Sequence, residues 1–178
     1  MSGVVTIQGR QFKPYIGQER IAEAVKKIAA HMNEELKNEF PFFLAVLNGS
    51  FMFVADLMKE IEIPCSVSFV KLASYEGTGS TGNVKELVGL TENISGRTIV
   101  IIEDIIDSGL TVEGLINDLR KKNVKSIRIA TALFKPEAFK KNYKIDYIGF
   151  EIPDKFVVGY GMDYDGHGRN LKEIHVLV

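Results

Sequence analysis

The segment Thr98-Ile99-Val100-Ile101-Ile102-Glu103-Asp104-Ile105-Ile106-Asp107-Ser108-Gly109-Leu110-Thr111 carries the densest set of reactive side chains in this sequence. An apolar run leads into two adjacent carboxylates, a third carboxylate follows, and a Ser-Gly-Leu-Thr turn opens a helix-like stretch. Carboxylates accept hydrogen bonds from hydroxyl groups and bind hard cations such as magnesium through oxygen. The turn offers the opposite chemistry. The first amides of a helix lack intrahelical partners, and the helix dipole favours anions there. Gly109 lets the backbone come close to a ligand, and Ser108 and Thr111 add hydroxyl donors. A phosphate cradle therefore adjoins an acidic patch. Glu103 and Asp104 would repel a bare phosphate, so the expected ligand also brings hydroxyls or a divalent cation. The competing reading is an ordinary capped turn, with Asp107 or Ser108 as N-cap and the acids solvated. Three acids together with Ser, Gly and Thr at one strand–helix junction weigh against it.

The elements that must hold this segment follow from periodicity. Ile21, Val25, Ile28, Met32 and Leu36 recur at helical spacing and predict a helix over 17–37. The run 42–47 is apolar throughout, as in a strand buried on both faces. A turn at Asn48-Gly49-Ser50 leads to a second helix ending near 61. Strands are expected at 67–72, 84–90, 98–102, 127–134 and 147–150, with a third helix over 110–122. The stretch 73–83, rich in small polar residues and glycine, reads as a loop long enough for a lid. Apolar strands separated by amphipathic helices indicate an α/β fold, a twisted, mainly parallel sheet flanked by helices. The tail at 159–170, rich in Gly and Asp, does not fit another βα unit. It is expected in a small cap, or hood, built from the chain ends at about 1–16 and 151–178, over a core at about 40–150.

The 178 residues suit one domain, 1–178. Apolar residues make up 46% and charged residues 25%, which are globular values rather than disordered ones. A formal charge of -1 excludes a strongly cationic nucleic-acid binder, though not a local basic patch. A single cysteine, Cys65, excludes an intramolecular disulfide and argues against a structural zinc cluster. No apolar stretch is long enough to cross a bilayer, and residues 1–16 lack a signal-peptide pattern. The expected compartment is the cytosol.

Residues 98–111 resemble the phosphoribosyl pyrophosphate signature of type I phosphoribosyltransferases. The segment Tyr147-Ile-Gly-Phe-Glu-Ile-Pro-Asp154-Lys-Phe156-Val157-Val-Gly-Tyr160-Gly-Met-Asp163-Tyr164 looks like the base-binding segment of the hypoxanthine-guanine subfamily. The resemblance implies transfer of a 5-phosphoribosyl group to N9 of hypoxanthine or guanine, with IMP or GMP and pyrophosphate as products. It implies that Glu103 and Asp104 meet the ribose hydroxyls and magnesium, and that Asp107 is the general acid/base at purine N7. Residues Asp107, Ser108, Gly109, Leu110 and Thr111 would hold the 5′-phosphate. Lys135 would donate to purine O6, Phe156 would stack on the base, and Val157 would read it through its backbone. Asp163 would hold a second magnesium through water, near the C2 edge of the base. Arg169 would reach the pyrophosphate. Ser74 and Tyr75 would open the lid. Many relatives carry Lys-Gly after the strand that ends here at Leu47, where this chain has Asn48-Gly49; the pair is assigned to the pyrophosphate with that departure noted. A homodimer or homotetramer is also implied, without nucleic-acid or membrane partners. From residue type alone, Lys135 would be a solvated lysine, Phe156 a core aromatic and Arg169 a surface residue.

Two motifs point elsewhere. Gly77-Thr-Gly79-Ser-Thr-Gly82 matches the dinucleotide-binding glycine pattern, but too few residues follow for its packing helix. Lys121, Lys122 and Lys125, and again Lys140, Lys141 and Lys144, form basic clusters that a regulatory, nucleic-acid-binding relative would need.

Overall fold

The computed structural model describes residues 3–73, 85–88 and 90–178. Ser74 and Tyr75, and the glycine pattern at 77–82, lie outside the described residues. In chain order the elements are β1 (Val5–Ile7), β2 (Arg10–Ile16), α1 (Gln18–Glu35), β3 (Phe42–Leu47), α2 (Phe51–Glu60), β4 (Ser66–Ala73), β5 (Lys85–Val88) and β6 (Thr98–Ile106). They continue with α3 (Leu110–Arg120), β7 (Ser126–Phe134), β8 (Tyr147–Glu151), β9 (Val157–Val158) and β10 (Ile174–Leu177).

Among the described residues, six strands form the central sheet in the order β5-β4-β3-β6-β7-β8. Every neighbouring pair is parallel except the edge pair β4–β5. The apolar runs are continuous because both faces are covered, and side chains alternate between them. Phe43 and Ala45 of β3, with Val100 and Ile102 of β6, pack in one core with the apolar faces of α1 and α2. Leu44 and Val46, with Ile99 and Ile101, pack in the other with Val112, Leu115, Ile116 and Leu119 of α3. Fully burying such a side chain stabilises the fold by about 1.5–3 kcal/mol. The sheet is the expected twisted, mainly parallel one with helices on both faces.

Two boundaries differ from the sequence expectation. Strand β6 does not stop at Ile102 but runs through both acids to Ile106, because β7 keeps pairing it: Glu103 opposes Thr131 and Ile106 opposes Phe134. The N-terminal residues, expected only as part of the cap, form an antiparallel hairpin of β1 and β2. Strand β10 inserts between β2 and β9, giving the order β1-β2-β10-β9. The two chain ends thus share one small sheet, which stands over the carboxyl ends of β3, β6 and β7.

Candidate functional site

The two adjacent acids differ in exposure: Glu103 is buried and Asp104 half-buried. Asp104 faces the turn after β3, where a Cβ on Gly49 would overlap its carboxylate. Asp104 lines a cleft of about 220 Å³ together with Ile105, Asp107, Lys135, Phe156, Val157, Met162 and Asp163. This is smaller than the roughly 300–1,000 Å³ of drug-sized sites. The cleft lies outside the carboxyl ends of parallel strands, where open α/β sheets bind ligands.

Glu103 is only 6% exposed. Burial pushes its carboxyl well above the usual range, and the neighbouring Asp104 charge and hydrogen bond push the same way. Burial also raises Asp104, opposed by the amides of Asp104 and Ile105 and by the Arg169 charge. A buried and a half-buried acid side by side favour a bound cation. Among the described residues no three His, Cys, Asp or Glu side chains converge on one metal position. Two carboxylates with the remaining positions filled by substrate oxygens and water is the usual arrangement for magnesium, so the donor set fits that ion.

In the turn after β6, neither Asp107 nor Ser108 caps the helix. Gly109 is the N-cap of α3, with φ 78°, and no side chain caps the first turn. Tyr143 holds this conformation by donating its hydroxyl to the Gly109 carbonyl at 2.8 Å. The Asp107 carboxylate accepts from the Ser108 amide. Asp107, Leu110 and Thr111 are exposed, Ser108 is half-buried and Gly109 is buried.

The turn after β3 reaches the same place. Ser50, fully buried, donates its hydroxyl to the Val46 carbonyl at 2.6 Å and fixes the turn. The Leu47–Asn48 peptide is cis. Asn48 is exposed and Gly49 buried. A Cβ on Gly49 would overlap the Asp104 carboxylate, and one on Gly161 would overlap the Gly49 carbonyl. Glycine at both positions lets this turn pack between the acid and the hood.

The end of β7 and the hood supply the remaining groups. Lys135, 9% exposed, is no solvated lysine: its Nζ donates to Asp154 Oδ1 at 2.9 Å. Phe156 is 46% exposed and therefore not a core aromatic, and its ring contacts Tyr164 and Phe12 edge-on or tilted. Val157 is buried and pairs with Val176 of β10. Arg169 is half-buried; its Nη2 lies 2.7 Å from Asp163 Oδ1 and its Nη1 donates to the Gly161 carbonyl at 2.8 Å. Asp163 Oδ2 accepts from the Gly166 amide at 2.7 Å. Six of the predicted site residues line one cleft. Glu103 does not line it, and Arg169 joins it through Asp163. Sequence reasoning missed Ile105 and Met162 in the lining, Asp154 on Lys135, and Tyr143 on Gly109: the first two and Asp154 lie inside the quoted segments but were given no role, and Tyr143 lies outside them.

The rival features carry no comparable site. Four of the six clustered lysines are paired: Lys121 with Asp118, Lys125 with Glu39, Lys141 with Glu113 and Lys144 with Asp146. Cys65 is half-buried, and burial raises its thiol, as for a packing residue. A larger groove of about 430 Å³ between α1 and α2 contains Asp56, Lys59 and Tyr160 but no acid–hydroxyl turn. No described helix is long and apolar enough to cross a membrane.

A family model for the phosphoribosyl transferase domain matches residues 16–165. The hypoxanthine-guanine phosphoribosyltransferase of Bacillus subtilis is 45% identical over 166 residues, spanning 93% of this chain and 92% of that protein. The enzyme of the same name from Mycobacterium bovis is 38% identical, over 88% of this chain and 83% of its own length. A crystal structure of a hypoxanthine-guanine phosphoribosyltransferase from Bacillus anthracis, with HEPES in its active site, superposes with a TM-score of 0.88 at 38% identity. That match covers 93% of this chain and 98% of the other. The Trypanosoma cruzi hypoxanthine phosphoribosyl transferase gives a TM-score of 0.88 at 30% identity, over 98% and 95% of the two chains.

Proposed function

The chain belongs to the phosphoribosyltransferase family, and from that premise we propose a purine-salvage enzyme. It transfers the 5-phosphoribosyl group of phosphoribosyl pyrophosphate to N9 of hypoxanthine or guanine. The products are IMP or GMP and pyrophosphate. The observation that carries this reading is the single cleft that joins Asp104 and Asp107 of the β6 end, Lys135 of the β7 end, and Phe156 and Val157 of the hood.

The C1′–oxygen bond to pyrophosphate breaks as the N9–C1′ bond forms, and pyrophosphate leaves with the electron pair. The developing oxocarbenium charge sits on the sugar, where Glu103 and Asp104 accept from the ribose hydroxyls. Asp107 handles the purine proton at N7; it is exposed to the cleft and held by the Ser108 amide. The uncapped first turn of α3, with Ser108 and Thr111, holds the 5′-phosphate. The Lys135 ammonium donates to O6 and would clash with the amino group of adenine. Phe156 stacks on the base. Asn48, Gly49 and Arg169 serve the pyrophosphate; Asn48 can do so through its backbone. Asp104, Glu103 and Asp163 would hold magnesium, which supplies charge neutralisation at the leaving pyrophosphate when bound. One catalytic domain, a homodimer or homotetramer, and a cytoplasmic setting complete the reading. So do Ser74 and Tyr75 as the start of a lid.

The test is a pyrophosphate-release assay with hypoxanthine, guanine and xanthine, with and without magnesium, beside filter binding of RNA. Magnesium-dependent release with hypoxanthine or guanine is expected, without RNA retention. Silence with every 6-oxopurine would end the proposal.

A further inference from the structure

We infer that Asp154 is a positioning residue for base recognition, acting through Lys135; the inference rests on the reading that Lys135 meets the oxygen at purine C6. The Lys135 ammonium donates to Asp154 Oδ1 at 2.9 Å. Asp154 does not line the cleft and its side chain is 62% exposed, so it reaches a ligand only through its partner. An ion pair with one partner this exposed adds little to stability. Its effect is on geometry.

Both partners stand on braced backbone. The Lys135 amide donates to the Ile106 carbonyl at 2.9 Å, and its own carbonyl accepts from Ala138 and Phe139. The Ile152 amide donates to the Phe134 carbonyl at 2.8 Å, which brings the turn at 153–155 against the end of β7. The pair thus joins the core sheet to the hood across one edge of the cleft. An ammonium has three donors, and the one given to Asp154 leaves two for a carbonyl oxygen.

The same cleft holds three other carboxylates, on Asp104, Asp107 and Asp163. A lysine stem is long and freely rotating. Without Asp154, the ammonium would turn to one of those acids and occupy the space of the base. Asp154 holds it at the cleft edge, away from the acids the reaction uses. A base with a C6 carbonyl then meets a ready donor, and a base with a C6 amino group meets donor against donor.

The experiment compares Asp154→Ala, Asp154→Asn and Asp154→Glu with the unsubstituted protein. It measures KM and kcat for hypoxanthine, turnover of hypoxanthine relative to adenine, KM for phosphoribosyl pyrophosphate, and Tm. In the Ala and Asn variants the hypoxanthine KM is expected to rise about tenfold, and the preference over adenine to fall about tenfold. The phosphoribosyl pyrophosphate KM and the Tm are expected to stay put, and Asp154→Glu to recover most of the loss. An unchanged hypoxanthine KM and base preference would overturn the inference alone. So would an equal loss for both substrates, which marks a merely structural role. An unsubstituted protein that releases no pyrophosphate with hypoxanthine would overturn the functional reading, and this inference with it.

Discussion

Glu103 and Asp104 show what taking a carboxylate out of water does to stability. In the folded chain both hold protons above the range in which free carboxylates release them. Between the ordinary values of 4.5 and 3.8 and the raised ones, the folded state binds more protons than the unfolded state. Metal-free stability therefore falls as pH rises through that window, and is regained on acidification toward it. Glu103→Gln removes the larger contribution. Thermal unfolding without magnesium at neutral pH should show the variant more stable by about 2–4 °C per kcal/mol recovered, with a flatter pH dependence. An unchanged Tm would mean that the acid is solvated. Asp107 differs: it is exposed, and its role in the proposed reaction is chemical. Asp107→Asn should lower kcat by roughly 10²-fold or more while KM moves little, since general acid–base catalysis contributes about that much. Near-normal turnover in steady-state kinetics would remove it from the proton transfer.

At the scale of elements, the junction of β6 with α3 decides the site. The strand extends past Ile102 because β7 supplies partners as far as Phe134. That extension places Glu103 opposite Thr131 inside the paired strand, with Asp104 next to it at the cleft. The turn then needs a residue at φ 78° in the N-cap of α3. A Cβ at Gly109 would also press on Tyr143, Phe139 and Lys141. Gly109→Ala should cost about 1–3 kcal/mol in urea unfolding and raise the KM for phosphoribosyl pyrophosphate more than that for the base. Equal effects on both substrates would show that the turn does not serve the phosphate.

At the scale of the molecule, a mainly parallel sheet carries the acids, and the small antiparallel sheet holds Val157 beside Phe156, the residues that the proposed reading puts at the base. Strand β10 is interior to the small sheet, paired with β2 on one side and β9 on the other. Phe12 of β2 is fully buried against Phe156 and Tyr164. Ending the chain after Glu173 removes β10 and leaves Val157 without its ladder partner. Calorimetric titration should then show base affinity lost more severely than phosphoribosyl pyrophosphate affinity. Equal retention of both would separate the hood from base binding.

Local pattern was enough for the apolar strands, the amphipathic helices and the acid–hydroxyl turn, because strand alternation, helical spacing and N-terminal amides act within a few residues of each other. Phe156, Val157 and Asp163 are assigned to the base only because 147–164 resembles a known segment; residue type alone points Phe156 to the core. The β1–β2 hairpin was not legible: β2 runs Arg-Gln-Phe-Lys-Pro-Tyr-Ile, and its second partner lies at the opposite end of the chain. Nor was the pairing of Lys135 with Asp154, or the packing of Gly49 between Asp104 and Gly161. Those contacts join residues far apart in sequence, and their energies exist only once the two sheets have been brought together.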